Sequence, residues 1–205
     1  MHKILTITTC GLLLLNVAAL AADEVPRPIT HADVWLMKRL GQPVISPDGK
    51  RLVVSVTEPS YQKEGTRSDL RLLAVDGKSE PLRLTATAEP ETGIAWSPDG
   101  QKIAFGTKRG EDELSQVYVL NMDGPGEAIP ITNVSTGAKS PIWSPDGHHI
   151  AFESRVYPGA TDDEANKAEK EAREERKINV SVYEIFPIRQ WDHWRDDRQT
   201  HLFVQ

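Results

Sequence analysis

The strongest constraint on this chain is a tetrapeptide that returns in phase. Ser46-Pro47-Asp48-Gly49, Ser97-Pro98-Asp99-Gly100 and Ser144-Pro145-Asp146-Gly147 begin 51 and then 47 residues apart. That spacing suits a four-stranded propeller blade. Serine fits the first position of a type I turn, proline presets φ at the second, aspartate accepts the third, and glycine takes the positive φ that follows. Each copy therefore predicts a hairpin tip. Apolar residues flank it every time: Ile45, Trp96 and Trp143 before the turn, and Leu52-Val53-Val54, Ile103-Ala104-Phe105 and Ile150-Ala151-Phe152 after it. Such runs read as strands buried on both faces.

A second hairpin follows in the first two repeats. Leu70 to Val75 leads through Asp76-Gly77 to Leu82-Arg83-Leu84-Thr85, and Val117 to Met122 leads through Asp123-Gly124 to Ile129-Pro130-Ile131-Thr132. Asp-Gly between apolar runs is a strong short-range hairpin signal, so each repeat predicts four antiparallel strands. The expected fold class is all-β, an incomplete β-propeller with blades at about 42–90, 91–137 and 138–205. The third repeat is interrupted at residues 162–177 by a run of Ala, Glu, Lys and Arg with high helix propensity and a Glu169/Arg173 pair at i, i+4. Ala165, Ala168 and Ala172 give it a thin apolar stripe, so it reads as a solvated helical insertion rather than a partner-docking arm. Beyond it, Thr200-His201-Leu202-Phe203-Val204-Gln205 aligns with Ser115 to Leu120, so the last residues are expected to lie inside a strand. Two blades and part of a third cannot close a ring of about four to eight, so further protein is expected beyond residue 205.

At the other end, His2 and Lys3 precede an apolar run from Ile4 to Leu20 that closes on Ala19-Leu20-Ala21. This is the pattern of a signal peptide at 1–21, cut before Ala22. The run is short and interrupted by Thr6, Thr8, Thr9 and Asn16 for a membrane anchor, so the expected product is exported, periplasmic or extracellular, with no anchor after cleavage. Residues 22–41 then form an N-terminal segment with a short helix. Cys10 is the single cysteine and leaves with the signal, which excludes disulfides and thiol chemistry from the mature chain. Loss of Lys3 takes the formal charge from −6 to −7, which argues against a nucleic-acid partner.

Two blocks carry a family resemblance. Thr30-His31-Ala32-Asp33, opening a helix expected to run to Gly41 and followed by the first Ser-Pro-Asp-Gly, resembles the start of the propeller in the prolyl oligopeptidase family of serine peptidases. Tyr183-Glu184-Ile185-Phe186-Pro187-Ile188-Arg189-Gln190-Trp191-Asp192-His193-Trp194, with His201 to Val204 after it, is similar to the acylaminoacyl-peptidase and dipeptidyl-aminopeptidase branch. The second block is the more specific, since Ser-Pro-Asp-Gly hairpins also occur in TolB-like propellers. The resemblance covers about residues 28–205 and implies a catalytic α/β-hydrolase domain beyond residue 205. That domain would carry a Ser-Asp-His triad with its nucleophile in a G-x-S-x-G elbow, under a propeller that admits short peptides.

No residue of this chain is expected to be catalytic, to bind a cofactor or to ligate a metal. Gly77-Lys78-Ser79-Glu80-Pro81 lacks the second glycine of a serine elbow. It also fails as a phosphate loop, because Leu72 stands where a glycine is needed and Pro81 where a helix should begin. His148 and His149 are neighbours on a strand and should point to opposite faces. Asp48, Asp99 and Asp146 each have a turn role and no companion ligands. Trp191 and Trp194 could form a peptide-stacking surface, although large aromatics in β-proteins are more often core. Asn133-Val134-Ser135 and Asn179-Val180-Ser181 match the glycosylation sequon.

Three functional readings follow. The first is the substrate-gating propeller of an exported serine exopeptidase that releases N-terminal dipeptides or acylated amino acids, silent by itself. The second is a TolB-like propeller that holds a protein partner. TolB proteins place an α/β domain before the propeller, and about 20 residues leave no room for one here. The third is an exported scaffold protein shortened by an early stop.

Overall fold

The computed structural model describes residues 27–62, 65–124, 126–176, 189–190, 193–194 and 196–205. The expected signal peptide, residues 178–188 with the Asn179 sequon, and Trp191 and Asp192 lie outside the described residues. The chain runs α1 (His31–Trp35), β1 (Arg39–Leu40), β2 (Val44–Ile45), β3 (Arg51–Glu58), β4 (Arg67–Ala74) and β5 (Leu82–Arg83), then β6 (Thr92–Trp96), β7 (Lys102–Thr107), β8 (Gln116–Asn121) and β9 (Ile129–Pro130). After these come β10 (Lys139–Trp143), β11 (Ile150–Val156), α2 (Asp163–Glu175), β12 (Arg189–Gln190), β13 (His193–Trp194) and β14 (Gln199–Val204).

Every pairing is antiparallel, and the sheets follow the repeats. The first joins β1 and β2 to β3, then β4 and β5; the second is β6-β7-β8-β9; the third is β10-β11-β14; β12 and β13 form a separate ribbon. The first strands of successive sheets pack side by side, with β2 beside β6 and β6 beside β10. This is the blade-on-blade order of a propeller.

The three Ser-Pro-Asp-Gly segments make the same turn. In each, the glycine N–H donates to the serine carbonyl at 2.9 Å, and the glycine φ is 71° or 72°. The serine hydroxyl donates to the aspartate two residues on, at 2.6 Å in the first copy, and that aspartate also accepts from the backbone N–H of the residue after the glycine. These bonds hold Asp48, Asp99 and Asp146 below the usual carboxylate range, with the serine hydroxyl the largest cause. The second hairpins differ from each other. Gly77 adopts φ 67° and donates to Ala74, whereas among the glycines with positive φ there is no Gly124. In both, the fourth strand is a two-residue edge, where Pro130 costs no ladder bond.

Each blade's first strand carries one extra residue against its partner. Leu40 pairs with Val56 but Val44 with Val53; Thr92 with Gly106 but Ala95 with Ala104; Lys139 with Glu153 but Ile142 with Ala151. The bulged positions in the second and third blades are Gly93 at φ 64° and Ser140 at φ 53°. They touch, and a Cβ on Gly93 would come within 3.1 Å of the Ser140 backbone. The bulge also explains why α1 is shorter than expected. A capping box between Thr30 and Asp33 starts the helix, but Arg39 and Leu40 take ladder bonds from β3 beyond the bulge, so the helix stops at Trp35 rather than near Gly41.

Two cores lie between the sheets. Val53, Leu70, Trp96, Ile103, Phe105, Tyr118 and Leu120 fill the first seam; Ala104, Val117, Ala138, Ile150 and Phe152 fill the second. β7 serves both because successive side chains point to opposite faces. Ile103 and Phe105 enter the first core and Ala104 the second, each fully buried. Burial on both faces is less complete in the outer sheets, where Leu52 and Ala151 are only half-buried. The expected alignment of β14 with β8 holds: Phe203 stands opposite Phe152 as Tyr118 stands opposite Phe105.

Candidate functional site

One end of the sheets carries the Ser-Pro-Asp-Gly and Asp-Gly turns; the other carries the longer loops and the connectors between blades. The turn end is closed by short, self-satisfied hydrogen bonds. There His148 and His149 are both exposed, and their N–H groups serve Asp146 and Ser144 of the turn. Among the described residues no group of three or more His, Cys, Asp and Glu side chains could share a metal ion. Gly77, Lys78 and Ser79 form a turn after β4, with Lys78 N–H donating to Asp76. Trp194 falls in β13 and His193 beside it.

The connector end holds three side-chain groups. The first is aromatic. His31 and Trp35 of α1 and Tyr61 of the β3–β4 loop lie 6.0–6.2 Å apart with planes within 26° of parallel, and His31 Nδ1 is 3.1 Å from the Tyr61 hydroxyl. Arg27 and the Thr30 cap hold the Asp33 carboxyl well below its usual range and fix the start of that helix.

The second group sits in the seam between the first and second blades. Glu91, on the connector from β5 to β6, has a side chain with no solvent exposure; Arg109, just past β7, is 17% exposed. Arg109 Nη2 lies 3.5 Å from Glu91 Oε1, which also accepts from the Thr87 hydroxyl at 2.8 Å. Among the described residues Glu91 Oε2, Arg109 Nε and Thr107 Oγ1 are buried without hydrogen-bond partners. Burial pushes the Glu91 carboxyl above its usual range, against the pull of Thr87 and Arg109. The Arg109 guanidinium lies over the Phe105 and Tyr118 rings, 5.5 and 5.3 Å from their centroids. The Tyr118 hydroxyl donates to Asp112 at 2.7 Å; burial first and that aspartate second push the phenol up to about 12. Two clefts, of about 250 and 570 Å³, open along this seam and share Thr87, Arg109 and Glu127.

The third group fixes the insertion. Asp162 caps α2 by accepting from Ala165 N–H, Asn166 is buried and accepts from Tyr157 N–H at 2.9 Å, and Asp163 accepts from the Ser135 N–H and hydroxyl. Lys170 pairs with Glu113 of the second blade's loop at 2.9 Å. Arg173 pairs with Glu169 and Asp197 and lies 4.5 Å over the Tyr157 ring. The helix therefore meets the propeller through its polar stripe of 163, 166, 170 and 173, while Ala168 and Ala172 are exposed. The expected solvated insertion is thus solvated on its alanine side and tied down on the other. Ser135, the third residue of the first sequon, is spent on this tie, while Asn133 is exposed.

Glu91, Thr107, Arg109 and the aromatic trio were not singled out from the sequence. His31 and Trp35 stand at i, i+4 on α1, a spacing that could have paired them. Nothing in the sequence separates Glu91 or Arg109 from the surface charges around them.

Blades of four antiparallel strands, joined in sequence with their first strands together, define a β-propeller. The description "TolB beta propeller domain" matches residues 36–177, and the chain belongs to that family. It is similar to dipeptidyl-peptidase 5 of Porphyromonas gingivalis, 31% identical over 74 residues, which are 36% of this chain and 11% of that protein. In fold it resembles an acylaminoacyl peptidase solved in complex with Z-Gly-Gly-Phe-chloromethyl ketone, with TM-score 0.56 and 15% identity over 83% of this chain and 24% of that one. It also resembles the AtxE2 isopeptidase with an astexin bound, with TM-score 0.56 and 17% identity over 88% of this chain and 30% of that one. The chain spans less than a third of each of these relatives.

Proposed function

We propose that this chain is the substrate-gating propeller portion of an exported serine exopeptidase that releases N-terminal dipeptides or acylated amino acids from short peptides. The observation that carries the reading is the similarity to dipeptidyl-peptidase 5, together with the Tyr183–Trp194 block. A propeller selects and positions substrate, while attack on a peptide bond needs a serine activated by a base and oxyanion donors beside it. The catalytic α/β-hydrolase domain belongs to sequence beyond residue 205, and the peptide enters by way of the propeller. Export follows from the signal at 1–21, with Ala22 as the mature N-terminus, which terminal sequencing of secreted protein checks. Among the described residues no helix is long and apolar enough to cross a membrane.

The test compares the chain with a version extended through the next in-frame domain, on dipeptidyl and acylaminoacyl chromogenic substrates with a serine-directed inhibitor. Inhibitor-sensitive release by the extended form alone is expected. Turnover by residues 1–205 alone, or none by the extended form, overturns the proposal. The family match supports a second reading, a TolB-like propeller that binds a protein partner; it predicts a reading frame with no serine elbow after residue 205.

A further inference from the structure

The two clefts at the seam of the first and second blades form one groove along the connector from Arg83 to Glu89, with Arg109 common to both. Arg109 is poorly used by the propeller itself. Its Nε has no partner among the described residues, and its contact with Glu91 is one Nη2–Oε1 approach of 3.5 Å. A charge-assisted N–H···O bond is about 2.7–2.9 Å, and guanidinium with carboxylate commonly forms two in parallel. The Phe105 and Tyr118 rings support the guanidinium from behind, so its position does not depend on that long contact. Glu91 is a weak competitor for it, since burial favours its neutral form. At one end of the groove Leu84, Leu120 and Ala128 form an apolar patch beside Arg83, Thr85 and Glu127. The groove's lining sets Glu89, Asp112 and Glu127 against Arg83, Lys108 and Arg109, so it offers no excess of positive charge to a ligand with several negative charges.

We propose that this groove binds a peptide carboxylate, with Arg109 as the anchor and the apolar patch taking the adjacent aliphatic stem. The group is an acidic side chain or a C-terminus. The inference rests on the peptidase reading only in taking the ligand to be a peptide. A singly charged carboxylate suits a lining with balanced charge, whereas phosphate and nucleic acid call for an excess of positive charge.

The test titrates the full chain with acetyl-Gly-Glu-Gly-amide, with acetyl-Gly-Ala-Gly bearing a free C-terminus, and with acetyl-Gly-Gln-Gly-amide as control, following heat and the Arg109 Nε–H resonance. At least one carboxylate peptide should bind about tenfold or more tighter than the glutamine control, a ratio typical of one hydrogen bond to a charged group. Which peptide does so distinguishes side chain from terminus. Inorganic phosphate should not displace it. Arg109→Gln should abolish binding. Because that change can loosen the seam, Glu91→Gln is the second variant. It keeps the shape, removes the internal competitor and should tighten binding several-fold, which a purely structural role for the pair does not produce. Equal binding of the glutamine control, no binding of either carboxylate peptide, displacement by phosphate, or weaker binding by folded Glu91→Gln each overturns the proposal. Failure here leaves the peptidase assay of the extended protein untouched, and failure of that assay leaves carboxylate binding measurable.

Discussion

The two seams of this propeller share one device and differ in everything around it. In each, a tryptophan just before the Ser-Pro-Asp-Gly turn reaches back to the preceding blade. Trp96 Nε1 donates to the Val44 carbonyl at 3.0 Å, and Trp143 Nε1 donates to the Ala95 carbonyl at 3.2 Å. Along the first seam lie large side chains, Phe105, Leu70 and Tyr118, and a buried ion pair whose atoms are incompletely satisfied. Along the second lie Ala104, Val117, Ala138, Ile150 and Phe152, and its buried polar groups are paired, Thr132 with Gln116 and Ser154 with the Gly137 carbonyl, while α2 adds ion pairs at the surface. The same repeat thus builds one seam around a buried charge pair that is incompletely satisfied and the other around neutral, paired polar groups with an external strap. Buried charge is sensitive to its partner, whereas exposed pairs contribute little.

The largest effect expected from this comparison is at Phe105. It is fully buried in the first core, so Phe105→Ala should cost about 3–5 kcal/mol in chemical denaturation. Ala104 faces the second core from the next position, so Ala104→Gly should cost far less, about 1 kcal/mol. Equal losses would erase the distinction between the two faces of β7.

Next comes the ion pair. Glu91→Ala leaves Arg109 without its counter-ion in a buried site and should cost about 3 kcal/mol, whereas Glu91→Gln should stay within about 1 kcal/mol of the parent. The isostere keeps a group for Thr87 and removes the cost of burying a carboxylate, which offsets the partner lost to Arg109. Because the folded-state pKa of Glu91 is raised, the folded protein holds that proton more firmly than the unfolded chain. The contribution is therefore fully present below the ordinary glutamate value of about 4.3 and is lost as pH rises through the raised value. Asp48, Asp99 and Asp146 act in the opposite sense, since their lowered values favour the folded state above the unfolded pKa and fail on acidification. Subtracting the pH profile of Glu91→Gln from that of the parent isolates the Glu91 share. A difference that grows in the parent's favour with rising pH would contradict the sign.

The latches should be intermediate and alike. Trp96→Phe and Trp143→Phe each remove one indole N–H bond and should each cost about 1–2 kcal/mol. Trp96 should lose slightly more, because Arg51 lies 5.1 Å over its ring. The smallest effect belongs to the strap. Lys170→Ala breaks a pair whose glutamate is 82% exposed, so thermal unfolding should barely move. A loss as large as that of Glu91→Ala would mean that α2, not the side chains between the sheets, holds the second seam.

Much of this architecture is written locally. Ser-Pro-Asp-Gly dictates its own turn because every bond it needs comes from residues within five positions. The alternation on β7 follows from strand geometry, and the match of Phe203 to Tyr118 follows from the repeat. α1 ends before Gly41 because the bulge that pulls Arg39 and Leu40 into the first sheet depends on β3, a strand that lies beyond the helix in sequence. The polar stripe of α2 has no local signature either, since alanine and charge alternate alike on any solvated helix and only Glu113, Ser135 and Asp197 mark one side of it.

The sequence by itself determined the blade repeat, the hairpin tips and the β-propeller class, because turn chemistry and side-chain alternation act over a few residues. Only the tertiary structure decided which charges are buried. Glu91 and Arg109 are ordinary surface residues until two blades close on them. Burial is a property of the space between elements, and no short-range pattern encodes it.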